Sequence, residues 1–155
     1  DTRHARNFLR HEIIRRCEEG PYPAAPAALR RLGEQVGALS AALASAADSL
    51  LEQHATRLPA GTLAIDAAAL ASLDRHLVAE VMAALWRREG WPRRDMAARH
   101  YERLVAMLCT IADRGEIPRA EFPGGVAAVA APRRRLVIGR QPIRYAPVDV
   151  ISTRL

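Results

Sequence analysis

Arg6, Arg10, Ile13 and Cys17 recur at spacings of four, three and four, which on a straight α-helix stacks two guanidinium groups and two apolar side chains along one stripe. Arg3 and Asn7 flank that stripe, while Glu12, Arg15 and Glu19 fall on the other side. The spacing therefore predicts arginines facing inward. A guanidinium turned toward a protein interior needs an anion or a set of carbonyls, because burying it unpaired is costly. Its planar fork matches phosphate or carboxylate oxygens in pairs, so the chemistry on offer is anion holding; a buried ion pair with a carboxylate is the alternative. A second set, Arg87, Arg88, Arg93, Arg94, Arg99 and Arg103, gathers where one helical pattern ends and the next begins. That set suits a phosphate backbone, and its bland reading is a solvated basic corner.

Other chemistry fails on inspection. His11 and Glu12 open a zinc-protease pattern, but Arg15 stands where the second His is required. Gly33 and Gly37 sit inside a helical pattern and follow no strand, so they form no nucleotide loop. No Ser lies in a nucleophile-elbow context, and His54, His76 and His100 fall on three different helices. Cys17 and Cys109 each lie among apolar helical residues, which predicts free core thiols in a reducing compartment rather than a disulfide or a zinc site.

The elements that would position these groups are mainly helical. Of 155 residues, 50% are hydrophobic but only 5% aromatic, so alanine and leucine supply the packing, as in helix-on-helix architectures. All 23 basic residues are arginine; against 17 acids they give a net charge of +6, which favours an anionic partner, nucleic acid first. No signal-peptide pattern and no apolar run of membrane-spanning length is present, so the cytoplasm is the expected location. Asp1 runs straight into a helical pattern and is expected to be an interior residue of a longer chain.

The first helix is predicted from about Arg3 to Glu19, ended by Gly20. A second, long helix should run from Pro26 to about Leu58, where Pro59, Ala60 and Gly61 break it. Its Leu29, Leu32, Val36, Leu39, Leu43, Ala46 and Leu50 alternate spacings of three and four, a heptad seam that predicts packing along a partner helix, a two-chain coiled coil being the alternative. Thr62 to Ile65 is a short extended candidate, and Asp66 should cap a third helix carrying Leu70, Leu73, Leu77, Val81 and Leu85 until Gly90. After Trp91 and Pro92 a fourth helix carries Ala97, Tyr101, Leu104, Leu108 and Ile111 to about Gly115, completing an α-hairpin. Two short strands around the basic turn at Pro132 to Arg135 follow, then a tail that reads as irregular. The expected fold is mainly α: a long linker helix plus a helical hairpin with a small C-terminal β-hairpin. The expected divisions are residues 1–20, a first helix at the edge of a longer chain; 21–61, the linker helix; 62–140, the helical domain; and 141–155, the tail.

The segment Asp1-Thr2-Arg3-His4-Ala5-Arg6-Asn7-Phe8-Leu9-Arg10-His11-Glu12-Ile13-Ile14 resembles the D-x-x-x-x-R-N-x-I-R-H motif that closes the catalytic domain of tRNA(Ile)-lysidine synthases, with Leu9 replacing the usual Ile. The Gly90-Trp91-Pro92 link, the helix with His100 and Leu104 and the Pro123-Gly124-Gly125 turn are similar in order and spacing to that family's later segments. Ala130 departs from it, standing where relatives often carry an arginine. The resemblance implies a ligase that uses ATP to join free lysine to C2 of the wobble cytidine of tRNA(Ile), with ATP, and Mg2+ with it, bound by an α/β domain preceding this segment. It assigns Arg6, Asn7 and Arg10 to holding ATP phosphates or tRNA backbone near the reacting base, and the later helices to tRNA binding. The family's S-G-G-x-D-S loop is absent from this sequence, so the fragment alone is expected to be inactive. A homodimer stays open.

Two rivals remain: a stand-alone helical module binding nucleic acid or protein without enzymatic activity, and a helix-turn-helix DNA regulator. The second is weakened by Gly90, Trp91 and Pro92 in its turn and by arginine and alanine at its base-reading positions.

Overall fold

The computed structural model describes residues 5, 7–58, 61–115 and 119–140. Arg6 and the 141–155 tail, on which sequence expectations fell, lie outside the described residues, as do Pro59 and Ala60. The chain divides into two compact units, residues 1–42 and 43–155.

In the first unit, residues Leu9–Ile14 form a π-helical stretch that runs into α1 (Arg15–Glu19) and ends at Gly20. The helix ends where the sequence predicts, but its interior differs. A π-helix bonds each residue to one five positions away, so it turns less per residue than the α-helix on which the four-three-four stripe was projected. Arg10 and Ile13 therefore leave the stripe, and both are exposed. Helix α2 (Ala25–His54) starts in this unit, as Pro26 predicts. Its seam residues Leu29, Leu32, Val36 and Leu39 are all exposed, so the expected partner helix is not found among the described residues.

The second unit is a helix-plus-sheet fold rather than a helical hairpin with one β-hairpin. Helix α2 stops at His54, four residues before the predicted end, and residues Ala55–Arg57 form strand β1. Strand β2 (Leu63–Asp66), the predicted extended candidate, pairs antiparallel with β1. Asp66 accepts from the backbone N–H of Ala69 at 3.1 Å and caps α3 (Ala67–Ala71) as expected. The single third helix of the sequence reading is two: the chain breaks at Ser72, and Asp74 caps α4 (Arg75–Arg88) by accepting from His76 N–H at 2.8 Å. A second capping carboxylate next to the first weakly apolar stretch ends one helix and starts another.

Helix α5 (Ala98–Arg114) ends at Gly115, whose φ of 77° supplies the left-handed C-terminal residue predicted there. Strands β3 (Ala120–Phe122), β4 (Val126–Ala131) and β5 (Arg135–Arg140) complete an antiparallel sheet in the order β1-β2-β5-β4-β3. The expected two-stranded hairpin is thus the β4–β5 centre of a five-stranded sheet. The early extended segment closes one side of that sheet against β5, with Leu63 opposite Ile138 and Ile65 opposite Leu136.

One face of the sheet packs on the helices. Leu63, Ile65, Leu136, Ile138, Val126, Ala128 and Phe122 join Leu70, Met82, Leu85, Trp86, Leu104, Leu108 and Ile111 in a single buried cluster, which Ala47 and Leu51 of α2 also enter. Each fully buried leucine or isoleucine there contributes about 1.5–3 kcal/mol relative to exposure. Neither cysteine belongs to this core: Cys17 is half-buried and Cys109 exposed, both free.

Candidate nucleic-acid interface

The link between α4 and α5 is held from below by aromatic side chains. Trp86, in the last turn of α4, is fully buried and meets Trp91, Tyr101 and Phe122 edge-on at centroid distances of 4.8, 6.2 and 6.0 Å. Such contacts fix ring orientation as well as burying area. From the far side, the Pro123–Gly125 turn presses on the same link: a Cβ on Gly124 would meet Pro92 Cδ at 2.8 Å, and its φ of 82° is a conformation glycine adopts without strain. The Gly-Trp-Pro link and the Pro-Gly-Gly turn, separate features in the sequence, are one contact in the fold.

On this platform the chain displays its basic corner. Arg87 and Arg88 end α4, where cations complement the helix dipole, and Arg93 and Arg94 follow on the link. Arg99 and Arg103 stand one turn apart on α5. All six guanidinium-bearing residues are exposed, as a backbone-binding surface requires. They are not equivalent. Arg87 is engaged by Asp48 at 3.7 Å, and the depression beside it is also lined by Glu52. Arg103 lies over the Phe122 ring, 5.6 Å from its centroid, which anchors its stem and leaves a cation at the surface. Arg88, Arg93, Arg94 and Arg99 have no ion-pair partner among the described residues. The start of α5 adds the positive end of its dipole; there His100 Nδ1 accepts from Ala97 N–H at 2.9 Å.

Sequence reasoning missed Arg140. It pairs in register with Val126, beside the turn that abuts Pro92, and is exposed at the same end of the sheet. Only the β4–β5 register brings it there, which local sequence does not state.

A groove of about 260 Å³ between α4 and α5, lined by Arg75, His76, Glu80, Tyr101 and Glu102, carries both signs of charge and does not extend the basic surface. Residues 89–97 separate the two helices, longer than the three- or four-residue turn of a helix-turn-helix. No group of His, Cys, Asp and Glu able to hold a metal occurs among the described residues. No described helix is long and apolar enough to cross a membrane.

The other predicted site is less assembled. Asn7 and Arg10 are both exposed, and no described carboxylate pairs with Arg10; Arg6 is outside the described residues. The helix carries instead two exposed i,i+4 pairs, Arg15–Glu19 at 2.7 Å and Arg16–Glu12 at 3.5 Å. Asn7 and Arg10 thus face solvent, while the six arginines of the second set are exposed along the end of α4, the link and the start of α5.

Comparison with protein-family models, with curated proteins and with solved structures finds no match to this chain.

Proposed function

We propose that this chain is the tRNA-binding portion of a ligase similar to tRNA(Ile)-lysidine synthase, whose chemistry is carried by an α/β domain preceding Asp1. The observation that carries the RNA-binding part is the corner where Arg88, Arg93, Arg94 and Arg99 stand exposed without an acidic partner among the described residues. The ligase part rests on the motif resemblance at Asp1 to Ile14. In this reading Arg6, Asn7 and Arg10 are completed by the preceding domain, and tRNA, ATP with Mg2+ and free lysine are the whole enzyme's ligands.

Salt dependence tests the interface. If about four arginines each neutralise one phosphate, log affinity for tRNA falls against log salt with a slope near −3 to −4, because each contact releases about 0.7–0.9 of a counterion. Replacing Arg88, Arg93, Arg94 and Arg99 with Gln should flatten the slope and weaken binding with little change between RNA sequences, since phosphate contacts position rather than specify. Absence of binding at low salt overturns the reading.

A second reading, a stand-alone binding module, is favoured by one observation: the unit from Leu43 onward has its own contiguous core. It predicts the same salt slope but no gain of lysine incorporation when the sequence upstream of Asp1 is joined.

A further inference from the structure

We propose that the β4–β5 hairpin tip, carrying Arg133 and Arg134, is a second phosphate-contacting site, so that the bound partner is an extended RNA strand spanning both ends of the sheet. This rests on the RNA-binding reading above and adds a site to it.

The tip is Pro132, Arg133 and Arg134, between Ala131 and its register partner Arg135. Arg133 and Arg134 adopt φ of 61° and 55°, the only left-handed non-glycine residues among those described. Hairpin turns that need this conformation ordinarily draw Gly, Asn or Asp, because a Cβ there crowds the following carbonyl. Here both positions carry a long cationic side chain in place of those residues. Such an outlier points to a use for the side chain.

The surroundings support that use. Arg133 and Arg134 are exposed, and no described carboxylate pairs with either, or with Arg135. The loop backbone is tied down, with the N–H of Ala67 donating to Arg134 O at 3.1 Å. Arg133 and Arg134 are therefore displayed from a fixed turn rather than a free loop, beside the half-buried Arg135, which begins β5 opposite Asp66.

Position selects the ligand. Val126, at one end of β4, faces Arg140 beside the basic corner; Ala131, at the other end, faces Arg135. Five residue steps of antiparallel strand separate them, about 17 Å. A mononucleotide or inorganic phosphate cannot reach both ends, whereas a nucleic-acid strand places several phosphates across that distance.

The test uses the full chain and a tRNA transcript, with affinity measured across a salt series. Asn tolerates the left-handed conformation, so R133N/R134N removes both charges while relieving the turn. Its melting temperature should rise by a few degrees while affinity at low salt falls about 5- to 30-fold and the slope, about −4 to −5 when corner and tip both bind, loses about 1.4–1.8, two contacts' worth. R133K/R134K, which keeps charge and strain alike, should retain the slope. Unchanged affinity and slope in R133N/R134N, with the Arg88, Arg93, Arg94 and Arg99 to Gln variant still weakened, overturns the hairpin site alone. Failure of the unaltered chain to bind RNA at low salt overturns both.

Discussion

Trp86 shows how one buried side chain governs an exposed surface. It is fully buried against three aromatic rings, yet its Nε1 has no hydrogen-bond partner among the described residues. Two effects then oppose each other on substitution. Trp86→Ala removes the ring and leaves a cavity, so it should cost about 3–5 kcal/mol in denaturant unfolding. Trp86→Phe removes the unsatisfied indole N–H, worth about 1–3 kcal/mol, and partly offsets its smaller cavity. The Phe variant should therefore lie much nearer wild type; equal losses for both would show that the indole nitrogen is satisfied. His100 acts at the same scale. Its Nδ1 accepts from Ala97 N–H, a role that needs this nitrogen unprotonated, and His100 N–H returns a bond of 2.9 Å to Ala97 O. His100→Ala should cost about 1 kcal/mol, the usual net loss of one hydrogen bond, here the one that the N3 side chain accepts from the N-cap backbone, with a normal fold by circular dichroism.

Among the elements, turns matter more than helices. Gly124 and Gly125 both have positive φ, 82° and 70°, but only Gly124 is crowded, by Pro92. Gly125→Ala should cost about 1–2 kcal/mol from conformation alone, and Gly124→Ala should cost more, because the turn must also move off the link. Equal losses would mean that Pro92 shifts freely. Long helix α2 offers the matching contrast: Leu39 is 71% exposed and Leu51 1%. Leu39→Glu should change unfolding by no more than about 0.5 kcal/mol, and Leu51→Ala by about 2–5 kcal/mol. Much of this was legible from residues alone. Gly20, Gly90 and Gly115 mark helix ends, Asp66 a cap, and the repeat in α2 a helix, because each signal acts within one or two turns. Strand β1 was not legible, since Ala55–Arg57 continues a helical pattern and becomes a strand by pairing with Leu63–Ile65. The break at Asp74 was masked by leucines whose spacing runs through it. The arginine stripe is not seen in this chain, where Arg10 and Ile13 are exposed and a wheel drawn at α-helical pitch does not describe Leu9–Ile14. The basic corner was legible because its arginines flank a single turn, whereas Arg140 arrives through strand register.

For the whole molecule, the proposed division of labour separates binding from chemistry. The sequence holds 23 arginines but no S-G-G-x-D-S loop, and no described residues form a phosphate-cradling glycine turn ahead of a helix. The chain alone should therefore bind tRNA with the salt dependence given above, yet neither hydrolyse ATP nor incorporate lysine. Joining the upstream sequence should restore incorporation. In that joined protein Arg10, exposed here, should lie against the added domain; Arg10→Ala should then remove a charge-assisted contact worth about 2–4 kcal/mol in the transition state, a fall in turnover of about 30- to 1,000-fold. Its melting temperature should stay near that of the unaltered protein, because a residue already tolerated in solvent does not hold this chain together. Assaying turnover and melting on the same preparation separates the alternatives. An Arg10→Ala protein that melts early while keeping its specific activity would make the arginine an ion-pair partner across the domain boundary, and lysine incorporation by the isolated chain would place the chemistry within these 155 residues.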